Sequence, residues 1–174
     1  MHRRIRFSGE HQTLSEIATQ HADLAAALKM YYRSRLPMRF AGYSPQELSL
    51  ELELRLAELS RMSALNVISA IEAAFRMDYL QRCYQRKKDP VSKAFRALYE
   101  ASGHRARLED GILGVWQKNA TVPPSIMEDL KAVLRYRHWL AHGRYWTPRL
   151  GRKHDYESVF QLAHAVLAGF PFLR

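Results

Sequence analysis

Five side chains suited to proton transfer or anion binding crowd into one stretch, Leu134 to Trp146, which reads Leu-Arg-Tyr-Arg-His-Trp-Leu-Ala-His-Gly-Arg-Tyr-Trp. Arg135, Arg137 and Arg144 are permanent cations, and a planar guanidinium binds phosphate through paired hydrogen bonds. An imidazole, with an ordinary pKa of about 6.5, can take or give a proton at neutral pH, and the stretch offers His138 and His142. The same two histidines sit at i, i+4 on one helical face, the spacing of a metal pair. The stretch has no Glu of the zinc-protease motif, and His154 is the only third ligand in reach, so no metal or other cofactor is expected. The purely structural alternative is a capped helix end, because cations near a C-terminus are stabilised by the helix dipole. Arg137 and His142 lie five positions apart, about 140° around an ideal helix. They can converge only through long side chains, a local break near Gly143, or a second copy of the helix.

The string Arg137-His138-Trp139-Leu140-Ala141-His142-Gly143 resembles the signature of the HEPN family, small all-α domains of which many are metal-independent ribonucleases. That signature is an Arg with a polar neighbour and a His a few positions on. The resemblance implies an endoribonuclease leaving 2′,3′-cyclic phosphate and 5′-hydroxyl ends. His142 would serve as acid–base group and Arg137 as phosphate ligand, with His138 holding the phosphate or fixing Arg137. It also implies a homodimer that builds one composite cleft from both motif helices. A toxin or RNA-defence effector fits it, as does a partner antitoxin of the nucleotidyltransferase type. The alternative within the resemblance is a non-catalytic module that binds nucleotide, RNA or a partner protein.

Bulk charge agrees with a polyanionic partner. The 174 residues carry 27 Lys and Arg against 17 Asp and Glu, a formal charge of +10. Acidic residues concentrate between Glu47 and Glu58. Basic ones cluster at Arg33–Arg35, Arg86–Lys88, His104–Arg107, Arg135–Arg144 and Arg149–Lys153. Such clusters near one cleft attract nucleic acid. Arg135, Arg144, Arg149, Arg152 and Lys153 are therefore candidate phosphate contacts, with Tyr145 and Trp146 placed to stack a base. No apolar run reaches the ~18 residues of a membrane span. The basic start, Met-His-Arg-Arg-Ile-Arg, lacks a following apolar segment, so secretion is not expected. The single Cys83 fits a reducing cytoplasm and a buried, hydrophobic role.

The elements that must position these residues read as all-α, one domain over 1–174 with five to seven helices, the two longest antiparallel in the bundle core. Residues 1–9 form a frayed or strand-like arm. A first helix runs from Glu10 to Arg35, with Leu14, Ile17, His21, Leu24, Leu28 and Tyr31 on its apolar stripe and Pro37 closing it. Ser44-Pro45-Gln46-Glu47 is a capping box that starts a helix running to about Arg86. Its Leu48 to Leu56 segment alternates like a strand, but Leu, Glu and Arg favour helix, and a kink or break is expected near Ser60–Ser63. In it Ser63, Asn66, Ser69 and Glu72 make a polar row, from which Asn66 or Glu72 can orient Arg137. Asp89-Pro90 starts a helix over Val91–Ala101. Residues 104–120 form a helix weakened by Gly111 and Gly114. Ser125 with Glu128 predicts the capping box of the motif helix, and Asp155 caps a last helix, Tyr156–Ala168.

Overall fold

The computed structural model describes residues 4–34, 38–151 and 154–173. Over these the chain is all-helical, with no strand. The α-helices are α1 (Leu14–Ser34), α2 (Pro45–Tyr84), α3 (Pro90–Ser102), α4 (Gly114–Asn119), α5 (Pro124–Ala141) and α6 (Tyr156–Gly169). Short 3-10 turns occupy Met38–Phe40 and Gly103–Arg105, and a π-helix covers Leu108–Leu113. Among the described residues no helix is long and apolar enough to cross a membrane. The expected stop at Pro37, with Arg35, lies outside the described residues, as do Arg152 and Lys153.

Helix α2 is the hub. It starts at the expected capping box: Ser44 Oγ accepts the Glu47 N–H, and the Glu47 carboxylate accepts the Ser44 N–H. It then runs 40 residues without the expected break. The serines at that point serve as anchors instead. Ser60 Oγ accepts the Tyr156 N–H at the start of α6, 3.0 Å away. Ser63 Oγ lies 2.8 Å from His21 Nδ1 on α1, and the His21 ring stacks on Tyr156 at 3.8 Å. The alternating segment is helical, so its leucines point in different directions. Leu48 and Leu52 face Tyr32 and Phe40 in a small outer cluster, while Leu50 and Leu54 are exposed.

The main core lies between the C-terminal half of α2 and the elements α3 to α6. Ile68, Ile71, Phe75 and Tyr79 meet Phe95, Ile112, Trp116, Leu130, Val133, Val159 and Val166 there. Helix α1 runs antiparallel to α2, with Tyr32 on Glu51 near one end and His21 on Ser63 near the other. It buries only Leu14, Ile17 and Tyr32; Leu24 and Tyr31, expected on its apolar stripe, are exposed. It starts at Leu14 rather than Glu10 because Thr13 and Glu16 form a reciprocal cap. Residues 4–9 have no regular structure; Ile5 N–H donates to the Tyr84 hydroxyl, and Arg4 lies over the Tyr84 ring.

One buried ionic centre ties the C-terminal tail to α2. The Arg82 guanidinium donates to Asp78, Asp89, Ser92 Oγ and the Pro171 carbonyl, and sits over Trp116. Asp78 also accepts the Leu173 N–H at 2.8 Å. The buried charges of Arg82 and Asp78 are thereby matched, while the Trp116 indole N–H has no hydrogen-bond partner.

Candidate active site

Helix α5 buries Met127, Leu130, Val133, Leu134 and Tyr136. Arg137, seven positions after Leu130, continues that inward face and is half-buried, whereas His138 is exposed at its edge. The expected Ser125 cap does not form. Pro124 occupies the first turn, where its missing N–H costs nothing, and Ser125 falls inside the helix without capping it. At the other end the helix stops before Gly143. Ala141 is the last helical residue, His142 is the cap residue, and Gly143 takes φ +80°. The Arg144 N–H then closes on the Trp139 carbonyl at 3.2 Å, a Schellman stop that favours glycine at this position.

This geometry separates Arg137 from His142 and pairs the two histidines. The His138 and His142 rings lie 4.2 Å apart between centroids, tilted by 49°. Arg137 turns the other way, toward α2, where its Nε lies 3.7 Å from Glu72 Oε2. That is an ion pair but beyond hydrogen-bond length, and Arg137 Nε is buried without a hydrogen-bond partner. The other Glu72 oxygen accepts from Arg76 Nε and Nη2 at 3.2 and 3.1 Å, and Arg76 Nη1 donates to the Ala106 carbonyl. Glu72 thus sits between two guanidiniums. Of the polar row, Ser63 faces α1, Ser69 bonds back to Leu65 O, and Glu72 alone is brought to Arg137 among the described residues. Asn66 is half-buried and is not hydrogen-bonded to Arg137.

Two hollows open on either side of His138. The larger, about 690 Å³, is walled by Arg76, Arg105, Arg107, Arg137, Glu72 and Glu109. The smaller, about 290 Å³, is walled by Arg135, Arg149, Trp146, Pro148, Leu150 and Glu109. His138 and Glu109 line both. His142, Arg144 and Tyr145 line neither. Arg76, Arg105, Arg107 and Glu109 are wall residues that the sequence reading did not assign. The His104–Arg107 cluster was visible as charge, but only the fold carries it to the end of α5.

The loop after α5 is held at two points. Trp139 Nε1 donates to the Trp146 carbonyl at 2.7 Å, and Arg144 Nη1 donates to Glu58 Oε2 on α2, also at 2.7 Å. The hydrogen bond from Arg144 keeps the Glu58 carboxyl below the usual carboxylate range, with Arg61 assisting and partial burial opposing. Arg144, expected as a phosphate contact, already has a carboxylate partner. Tyr145 is 85% exposed, edge-on to Trp146. Arg135 and Arg149 are exposed cations on the wall of the smaller hollow. His154 is buried beside the Tyr136 ring, and among the described residues no three His, Cys, Asp or Glu side chains gather as a metal site. Cys83 is buried, and burial pushes its thiol up to about 12, so it stays protonated. No protein-family model, no curated protein and no solved structure matches this chain.

Proposed function

We propose that the chain is a HEPN-type endoribonuclease that cleaves RNA without a metal, leaving 2′,3′-cyclic phosphate and 5′-hydroxyl ends. The observation that carries this reading is the pair of imidazoles, His138 and His142, 4.2 Å apart at the exit of α5, with Arg137 adjacent to His138 in the chain. In the reaction one imidazole takes the 2′-hydroxyl proton as the 2′-oxygen attacks phosphorus. The bond from phosphorus to the 5′-oxygen breaks, and the second imidazole delivers a proton to that oxygen. Arg137 offsets the charge gathering on the phosphorane oxygens, held in line by Glu72. The antiparallel α1 and α2 would be the two long helices of the HEPN bundle.

A two-fold homodimer belongs to the same proposal. It would bring a second Arg137, His138 and His142 to the cleft, and a self-complementary contact doubles the positive charge there. A cytoplasmic toxin or RNA-defence role, restrained by a partner antitoxin, is the setting that fits it. The decisive test is incubation of purified protein with RNA in excess EDTA, with end-group analysis of the products. Cyclic phosphate ends that vanish in His142→Ala support the reading, and undiminished cleavage by that variant overturns it.

The second reading is a non-catalytic module that binds RNA, nucleotide or a partner protein. What favours it is the placement of the motif groups: Arg137 turns toward Glu72 and away from His142, Arg144 is held by Glu58, and His142 lines neither hollow. RNA binding without any cleavage would select it.

A further inference from the structure

The two hollows beside His138 differ in chemistry. The larger has four arginines on its walls, Arg76, Arg105, Arg107 and Arg137, and suits phosphates. The smaller offers the Trp146 ring with Pro148 and Leu150 as an apolar lining, and keeps its two cations, Arg135 and Arg149, beside it. An aromatic face flanked by arginines is how a single-stranded base is stacked while its phosphates are held.

One residue in this setting is out of character. Glu109 lines both hollows, yet among the described residues it forms no ion pair with any of the arginines around it. Its neighbour Asp110 is the one that approaches Arg107, at 3.9 Å. Glu109 stands on the π-helix Leu108–Leu113, a backbone form that is rare and frequent at functional sites. A carboxylate repels phosphate, so its use in this place is to accept hydrogen bonds from a neutral group.

We infer that the smaller hollow is a nucleobase pocket in which Trp146 stacks the base and Glu109 reads its edge, selecting bases that carry an exocyclic amino group. A carboxylate accepts readily from such an amino group. Uracil instead presents two carbonyl oxygens around its one N–H, and these face the carboxylate with like charge. The inference rests on the RNA reading of the same site for its ligand class, and it assigns Glu109 a specificity role, distinct from the proton transfers of His138 and His142.

The test uses the full chain and four nucleoside 5′-monophosphates, with CMP against UMP as the size-matched comparison. Titration calorimetry should give CMP on the order of tenfold tighter than UMP. Glu109→Gln, whose amide both donates and accepts, should abolish that ratio. Trp146→Ala should weaken both nucleotides while leaving the ratio in place, and thermal melts of both variants establish that they are folded. Equal binding of CMP and UMP, no binding of any nucleotide, or a ratio unchanged in Glu109→Gln would each overturn the inference. Selective binding with no RNA cleavage would keep the pocket and remove the nuclease. Cleavage without base discrimination would do the reverse.

Discussion

Glu72 on α2 stands 3.7 Å from Arg137 on α5, close enough to steer the guanidinium and too far to hydrogen-bond it. Arg76 already occupies the other oxygen of the same carboxylate. Arg137 is therefore oriented without being consumed, and its remaining N–H groups are available to a phosphate.

Replacing Glu72 with Gln should lower the turnover number for RNA on the order of tenfold while KM changes little, since an oriented cation acts mostly on the transition state. Glu72→Asp should recover part of the loss. An unchanged turnover number in Glu72→Gln would mean that the pairing has no part in positioning Arg137.

Alanine at His138 or at His142 should each slow RNA cleavage by about 10²–10⁴, the cost of losing a positioned acid or base. The double variant should be little worse than either single one, because the two imidazoles act in one reaction. Multiplicative losses, read from single-turnover rates, would mean that they act independently.

Salt dependence separates engaged from available cations. For single-stranded RNA the slope of log K against log salt should fall by about 0.7 for each phosphate contact removed. Arg105→Ala, Arg107→Ala, Arg135→Ala and Arg149→Ala should each show that change in filter-binding titrations. Arg144→Ala should not, because Glu58 already neutralises that guanidinium.

Burial holds the His21 imidazole below its ordinary pKa, with Glu157 opposing in part. The fold therefore prefers the neutral ring. The stability this supplies is present above the unfolded pKa and is lost as pH falls through the folded one. Melting temperature should drop between about pH 7 and pH 5 more steeply in the native chain than in His21→Gln, which can keep a hydrogen bond to Ser63 without titrating. Parallel pH profiles would remove His21 as the source.

Arg82→Met should destabilise the protein by about 3–5 kcal/mol, because the Asp78 carboxylate stays behind in the core. Burial pushes that carboxyl up, and the Leu173 N–H and Arg82 restrain it. Adding Asp78→Asn to Arg82→Met should return much of the loss, since it removes the stranded charge. Urea unfolding measures both, and a double variant as weak as the single one would contradict this.

Local signals in the chain read well. Ser44-Pro45 with Glu47, Asp89-Pro90 and Asp155 each mark a helix start where the structure has one, because capping depends on a few adjacent residues. Gly143 marks the end of α5 for the same reason. Ser125 does not cap α5 because Pro124 already provides a helix start, and α1 starts on the reciprocal pair Thr13 and Glu16 rather than at Glu10. The Ser60–Ser63 break failed because those serines bond to α6 and α1, partners more than 40 residues away. The site divides likewise. The motif residues Arg137, His138 and His142 are contiguous on the chain, whereas the opposing wall of Arg105, Arg107 and Glu109 reaches them only by long-range packing.

Helix α2 is a single unbroken rod from Pro45 to Tyr84, about 60 Å long at the usual rise per residue. It carries Glu51 in the outer cluster, Glu58 on the loop arginine and Glu72 on the motif arginine. These three acids share one stiff shaft, so an axial slide or rotation at its far end shifts the footing of the loop and of Arg137 together. The outer cluster of Tyr32, Phe40 and Leu48 shares no side chains with the main core, and can come apart while Phe75 and Leu130 stay packed. Only the far end of the α1–α2 hairpin is set apart in this way, since Leu14 and Ile17 at the start of α1 belong to the main core.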